Sequence, residues 1–97
     1  MVSKARPKKK IQRRRVVFRV EAPQAKEVAL VGDHNKWNVK THPMKRTEEG
    51  VWEKIVMLTP GRYEYKFLVD GHWWTDSKNQ EACVNCFGTQ NSVISIR

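Results

Sequence analysis

Between Gly61 and Gly71 the chain alternates more strictly than anywhere else. Tyr63, Tyr65, Phe67 and Val69 fall on one side, and Arg62, Glu64, Lys66 and Leu68 on the other. A period of two sends successive side chains to opposite faces of a strand, whereas apolar residues of a helix would recur every three or four positions. The aromatic side therefore predicts a core face and the charged side an outward one. Asp70-Gly71 predicts a tight reversal, after which the chain returns through His72, Trp73 and Trp74. The same period runs through Val16, Phe18 and Val20, through Val28 and Leu30, and through Trp52, Val56 and Leu58, and Val93 to Ile96 makes a closing strand. Thr59-Pro60-Gly61 has Pro and Gly in the order of a type II turn and predicts a hairpin between the Trp52 strand and the Tyr63 strand. About seven short strands, with no segment that reads as a helix, predict an all-β, immunoglobulin-like antiparallel β-sandwich.

Length limits what such a sandwich can do. Ninety-seven residues hold one core. A domain of this size buries only about 60% of the surface its unfolded chain exposes, which leaves little depth for an enclosed catalytic cleft. No apolar run approaches the roughly 18 to 20 residues of a membrane span. Ile11 is the only bulky aliphatic residue between Ser3 and Arg15, so the apolar stretch of a secretory signal is missing and a cytoplasmic location is expected. The formal charge of +9 is concentrated in residues 1–15, where Lys4, Arg6, Lys8, Lys9, Lys10, Arg13, Arg14 and Arg15 meet no acid. Like charge with almost no hydrophobe cannot offset its ordering entropy, so residues 1–15 are expected to be a disordered basic tail and residues 16–97 the binding domain. Such a tail suits phosphate backbones or anionic surfaces, which makes it the one part of the chain fitted to nucleic acid.

Four tryptophans are more than so small a core needs. Trp52 is in register with Val56 and Leu58 and reads as core. Trp37 follows the polar stretch Gly32-Asp33-His34-Asn35-Lys36 and is expected at a loop or strand edge. Trp73 and Trp74 are neighbours, and neighbours on a strand cannot both enter one core, so one of them faces out. An exposed indole is an apolar plate suited to the C–H face of a pyranose ring. The ring's hydroxyls then need directional partners, and Lys66 on the outward face, with Gln90 and Asn91 in the final loop, supplies donors and acceptors.

Other chemistries lack their context. Cys83-Val84-Asn85-Cys86 has the spacing of half a zinc knuckle or of a redox pair, but His34, His42 and His72 are scattered without metal spacing. No helix N-terminus is expected there to activate a thiol, so the default is two reduced thiols. Asp33, Asp70, Asp76 and Glu81 fall in turns with no nucleophile and base nearby, which argues against an enzyme.

Val28-Ala29-Leu30-Val31-Gly32-Asp33-His34-Asn35-Lys36-Trp37 and Gly61-Arg62-Tyr63-Glu64-Tyr65-Lys66-Phe67-Leu68-Val69-Asp70-Gly71-His72-Trp73 resemble family-48 carbohydrate-binding modules. These are also called isoamylase N-terminal or early-set domains, and they occur in the beta subunit of AMP-activated protein kinase and in starch-branching and debranching enzymes. The likeness runs from about Val16 to Arg97 and includes the Gly-x-x-Asn of Gly88 to Asn91 before the last strand. It implies an immunoglobulin-like sandwich that binds α-1,4-glucans such as glycogen, starch or maltodextrin, without catalysis and without a cofactor. It further implies stacking by Trp37 and Trp73, hydroxyl binding by Lys66, an apolar contact from Phe87, and a hydroxyl and an amide from Thr89 and Asn91. Three departures stand out: His34 replaces a Phe, which is expected to loosen the loop presenting Trp37; Phe87 replaces a Leu; and the segment Asp76 to Phe87, with its two cysteines, is about one residue longer and lacks prolines. Because the chain ends at Arg97 with neither a kinase-docking region nor a catalytic barrel, any link to a glycogen-metabolising enzyme or a kinase complex is expected to run through a partner.

Overall fold

The structure, a computed structural model, describes residues 12–85 and 88–97. Among the described residues eight strands form two antiparallel sheets: β1 (Arg14–Glu21), β2 (Val28–Gly32), β3 (Lys45–Arg46), β4 (Val51–Leu58), β5 (Gly61–Val69), β6 (His72–Trp74), β7 (Ala82–Val84) and β8 (Gln90–Ile96). The first sheet runs β1-β4-β3. The second runs β2-β5-β8-β7, with β6 pairing β5 beyond the end of β8. The described residues contain no α-helix, only 3-10 turns at Asp33–Asn35 and Glu48–Gly50. This is the all-β, immunoglobulin-like sandwich that the alternation predicts. Among the described residues no helix is long and apolar enough to cross a membrane.

The aromatic face of β5 supplies the middle of the core. Tyr65, Phe67 and Val69 are buried there with Leu30 and Val28 of β2, against Phe18, Val56, Leu58 and Trp52 of the first sheet. Phe18 meets Tyr65 edge-to-face across the layers, with ring centroids 4.9 Å apart. Burying side chains of this size contributes about 1.5–3 kcal/mol each, the main favourable entry for so short a chain. Trp52 is 7% exposed and donates its indole N–H to the Ala22 carbonyl at 2.9 Å, as a core tryptophan should. Leu30 N donates to His42 O, and Met44 N to Val28 O, so the segment 42–44 covers the outer edge of β2.

Two sequence expectations need correction. β4 and β5 do not form a hairpin. β4 is the central strand of its sheet, with β1 on one edge and β3 on the other, so no edge is left for β5. Pro60 and Gly61 instead carry the chain from one layer to the other, tied by the Tyr63 hydroxyl, which donates to the Thr59 carbonyl at 2.8 Å. The second correction concerns the start of the domain. β1 opens at Arg14, two residues before Val16, because β4 is long enough to pair Arg14 with Leu58 and Arg15 with Met57. Gln12 and Arg13 precede β1 outside any strand, and residues 1–11 lie outside the described residues.

The Asp70-Gly71 reversal is as expected. Val69 pairs with His72 across it, and both turn residues have positive φ, 48° and 83°, which defines a type I′ hairpin.

Candidate functional site

The loop after β2 begins with a close approach. A Cβ on Gly32 would stand 2.4 Å from the Glu64 carbonyl oxygen and 2.8 Å from the Tyr65 Cα, so only glycine lets β2 end flush against β5. The chain then turns through Asp33–Asn35, and both Lys36 and Trp37 adopt left-handed backbone, with φ of 56° and 59°. For residues of this size such geometry costs on the order of 1–3 kcal/mol each, so the surroundings must hold it. They do so with a dense set of hydrogen bonds. Trp37 N donates to Gly32 O at 2.8 Å. Asn35 accepts from Gly32 N through Oδ1, and its Nδ2 lies within hydrogen-bond distance of Leu30 O, Asn38 O and Thr41 Oγ1. Asp33 accepts the Trp37 indole N–H on Oδ1 at 2.9 Å and the Glu64 backbone N–H on Oδ2 at 2.8 Å. One carboxylate thus fixes the indole and moors its loop to β5.

His34 does not leave this loop slack. Its ring stacks on His42 at 4.9 Å and lies 6.2 Å from Phe18, so it takes a packed aromatic place. Burial, with the neighbouring His42 adding to it and Asp33 opposing it, lowers its pKa from 6.5 to about 4. His42 is lowered as well, by burial first and Lys54 second. Both rings are therefore neutral at pH 7, and His34 Nε2 and His42 Nδ1 are buried without a hydrogen-bond partner among the described residues.

The floor comes from the charged face of β5. Lys66 is 8% exposed despite its outward register, and its ammonium donates to Thr89 Oγ1 at 3.1 Å. That hydroxyl is its one hydrogen-bond acceptor among the described residues, which leaves ammonium protons for a ligand. Glu64 takes Asn91 Nδ2 on Oε1 at 2.9 Å and Arg62 Nη1 on Oε2 at 2.8 Å. The Asn91 amide, then the Arg62 guanidinium, hold the Glu64 pKa below the usual carboxylate value. Asn85 gathers the connection from β7 to β8. Its Nδ2 reaches Thr89 Oγ1 at 2.7 Å and Asn91 Oδ1 at 3.1 Å, and its Oδ1 accepts from Thr89 N.

Trp73 stands opposite Leu68 on this same face and is 50% exposed, while Trp74 on the other face is 40% exposed. The expectation that one of the pair faces out is met twice over, because β6 is an edge strand of three residues.

Five of the six expected residues, Trp37, Lys66, Trp73, Thr89 and Asn91, line one concavity of about 510 Å³, together with Asp33, Glu64 and Asn85. The sixth, Phe87, lies outside the described residues, as does Cys86. Gln90 does not line it: it begins β8 rather than sitting in a loop, and strand alternation turns it away from the face of Asn91. Asp33, Glu64 and Asn85 were not picked out from sequence as site residues. Asp33 carries the clearest missed signal, a carboxylate four residues before a half-buried indole. Cys83 lies in β7 as a free, half-buried thiol. Among the described residues no three His, Cys, Asp or Glu side chains come together as a metal-ligand set.

The family model of carbohydrate-binding module 48, the isoamylase N-terminal domain, matches residues 5–85. That span contains Trp37, Lys66 and Trp73 and stops short of Thr89 and Asn91. Among similar proteins, a 1,4-alpha-glucan branching enzyme GlgB of Paraburkholderia xenovorans is 49% identical over 61 residues, 59% of this chain and 8% of the enzyme. Protein FLOURY ENDOSPERM 6, chloroplastic, of Oryza sativa subsp. japonica is 35% identical over 82 residues, 84% of this chain and 15% of that protein. Protein PTST homolog 2, chloroplastic, of Arabidopsis thaliana is 44% identical over 72 residues, 74% of this chain and 13% of that protein. The chain thus spans only a small part of the length of these relatives.

Proposed function

The chain belongs to the carbohydrate-binding module 48 family, and from that premise we propose that it binds α-1,4-glucans without catalysing their turnover. The observation that carries the reading is the pairing of two indoles, Trp37 and Trp73, around a polar floor of Lys66, Glu64 and Asn91 in a single concavity. Each indole offers a flat apolar plate to the C–H face of a glucose ring. Lys66 donates to ring hydroxyls, and the carboxylate of Glu64, held ionised, accepts from them. The left-handed backbone at Trp37 supports the same reading, because strain is retained where the surroundings hold a side chain for a purpose.

Such a site is shallow. Stacking adds about 0.5–1.5 kcal/mol per plate beyond area burial, and hydrogen bonds in competition with water add about 1 kcal/mol each. The expected Kd for a short oligosaccharide is on the order of 10⁻⁴ to 10⁻³ M, so several sites along a polymer would matter more than any single one. The test is a titration with maltoheptaose and, separately, cellohexaose, followed by tryptophan fluorescence. A saturable change with the α-1,4 sugar alone, lost in Trp73→Ala, supports the proposal. No response at several millimolar overturns it.

The link to chemistry is proposed to run through a partner enzyme of glucan metabolism. The outer face of the first sheet, opposite the sugar surface, leaves Ile55 and Met57 exposed beside Arg15 and the Arg19–Glu53 ion pair, an apolar centre with a charged border. Ile55→Glu with Met57→Glu should keep maltoheptaose binding and abolish co-sedimentation with an α-glucan branching or debranching enzyme. Unchanged co-sedimentation would remove this face from the reading.

A further inference from the structure

We propose that Trp74 is a second α-glucan subsite, separate from the first and on the opposite face of β6; this rests on the α-glucan reading of the Trp37 and Trp73 surface. Trp74 pairs with Phe67 and so points toward the core side of its sheet, yet it stands past the edge of the layer that covers Phe67. A tryptophan that merely fills a core looks like Trp52, nearly buried and with its N–H bonded to a carbonyl. Trp74 differs on both counts. It is 40% exposed, and its indole N–H has no acceptor among the described residues.

The indole forms one wall of a groove of about 220 Å³, room for a single pyranose unit. Ala22, Pro23 and Ala25, from the connection between β1 and β2, form the facing wall, with Val69 also lining the groove. This wall is fixed in advance. Asp70 accepts the backbone N–H of Lys26 at 2.9 Å and of Glu27 at 2.8 Å, which clamps the connection to the β5–β6 hairpin. Gln24 and His72 stand at the groove, and the side chain of neither makes a hydrogen bond among the described residues. A flat apolar plate with a free N–H, a rigid apolar wall and two uncommitted polar side chains is the chemistry of a sugar ring, apolar on its faces and hydroxylated at its rim.

Adjacent residues of one strand point to opposite sides, so Trp73 and Trp74 cannot stack on the same ring. Each takes its own stretch of glucan, and the edge strand becomes a bridge between two chains or between two segments of one chain. On a branched polymer this raises retention without strengthening either site.

The test follows the four indole N–H resonances of the ¹⁵N-labelled protein as maltotriose is added, with cellotriose as the control. The expected result is a saturable shift of the Trp74 resonance with its own midpoint, preserved in Trp73→Ala. A Trp74 resonance that stays fixed while Trp73 shifts overturns the second subsite and leaves the first intact. A Trp74 shift that vanishes in Trp73→Ala also overturns it, as a relayed effect. If no indole moves, both readings fall. As a second measurement, Trp74→Ala should leave maltotriose binding at the Trp73 surface unchanged and lower the amount retained on glycogen about three- to tenfold. Equal retention on glycogen rejects the bridge.

Discussion

The two faces of β5 make different demands on the same nine residues. On one, Phe67, Val69 and the ring of Tyr65 meet other apolar side chains, where nearly any packing of the right volume would serve, and only the Tyr65 hydroxyl is tied by direction, donating to Asp76 and accepting from Asn79. On the other, Glu64 and Lys66 work only because Asp33, Asn85, Thr89 and Asn91 arrive from three other parts of the chain with hydrogen bonds of defined direction. On the glucan reading, stability resides on the first face and recognition on the second, with one backbone shared between them.

The largest effect should come from the core face. Phe67→Ala removes a fully buried ring and should cost about 3–5 kcal/mol, read as a lowered urea midpoint, with sugar binding lost at that same lowered midpoint. Trp73→Ala should do the reverse: maltoheptaose binding falls at least about tenfold while stability stays within about 0.5 kcal/mol of the parent. A large drop in stability there would break the division between the faces. Lys66→Met keeps the buried stem and removes the ammonium, and calorimetry should show binding weakened about five- to tenfold, the worth of roughly 1 kcal/mol of hydrogen bonding.

Away from neutral pH the comparison is sharpened by a pH dependence. His34 titrates near 6.5 in the unfolded chain and at about 4 in the folded one. Its contribution is complete above pH 6.5, falls as the unfolded state takes up protons between pH 6.5 and about 4, and is flat below that. Thermal melts across this window should show the slope, and His34→Phe should reduce it. The part that remains in that variant reports His42 and, at the acid end, Glu64, whose pKa is also lowered.

Strict alternation made the core face of β5 and the Asp70-Gly71 hairpin legible in the sequence, because both depend on residues close along the chain. The partner of β4 was not legible. Pro60 and Gly61 show that the chain turns, but whether it turns within a layer or between layers depends on which edges other strands already occupy. The site divides in the same way. Trp37, Lys66 and Trp73 stand out by type and register. Asp33 has a local half, its bond to the Trp37 indole four residues on, but its hold on the Glu64 backbone 31 residues away could not be read from the sequence. Trp74 was legible only as half of an ambiguity, since its exposure depends on how far the opposite layer extends.

The concavity is assembled from the loop after β2, the middle of β5, the edge strand β6 and the start of β8. No contiguous fragment holds it, and it exists only while both halves of the chain are folded together. On the glucan reading the sugar therefore acts as a non-covalent brace across the sequence. At 10 mM ligand and a Kd of about 10⁻⁴ to 10⁻³ M, mass action adds roughly 1.4–2.7 kcal/mol to the folded state. For a domain whose whole margin is on the order of 5–15 kcal/mol, occupancy would then set how long the module survives as well as where it sits.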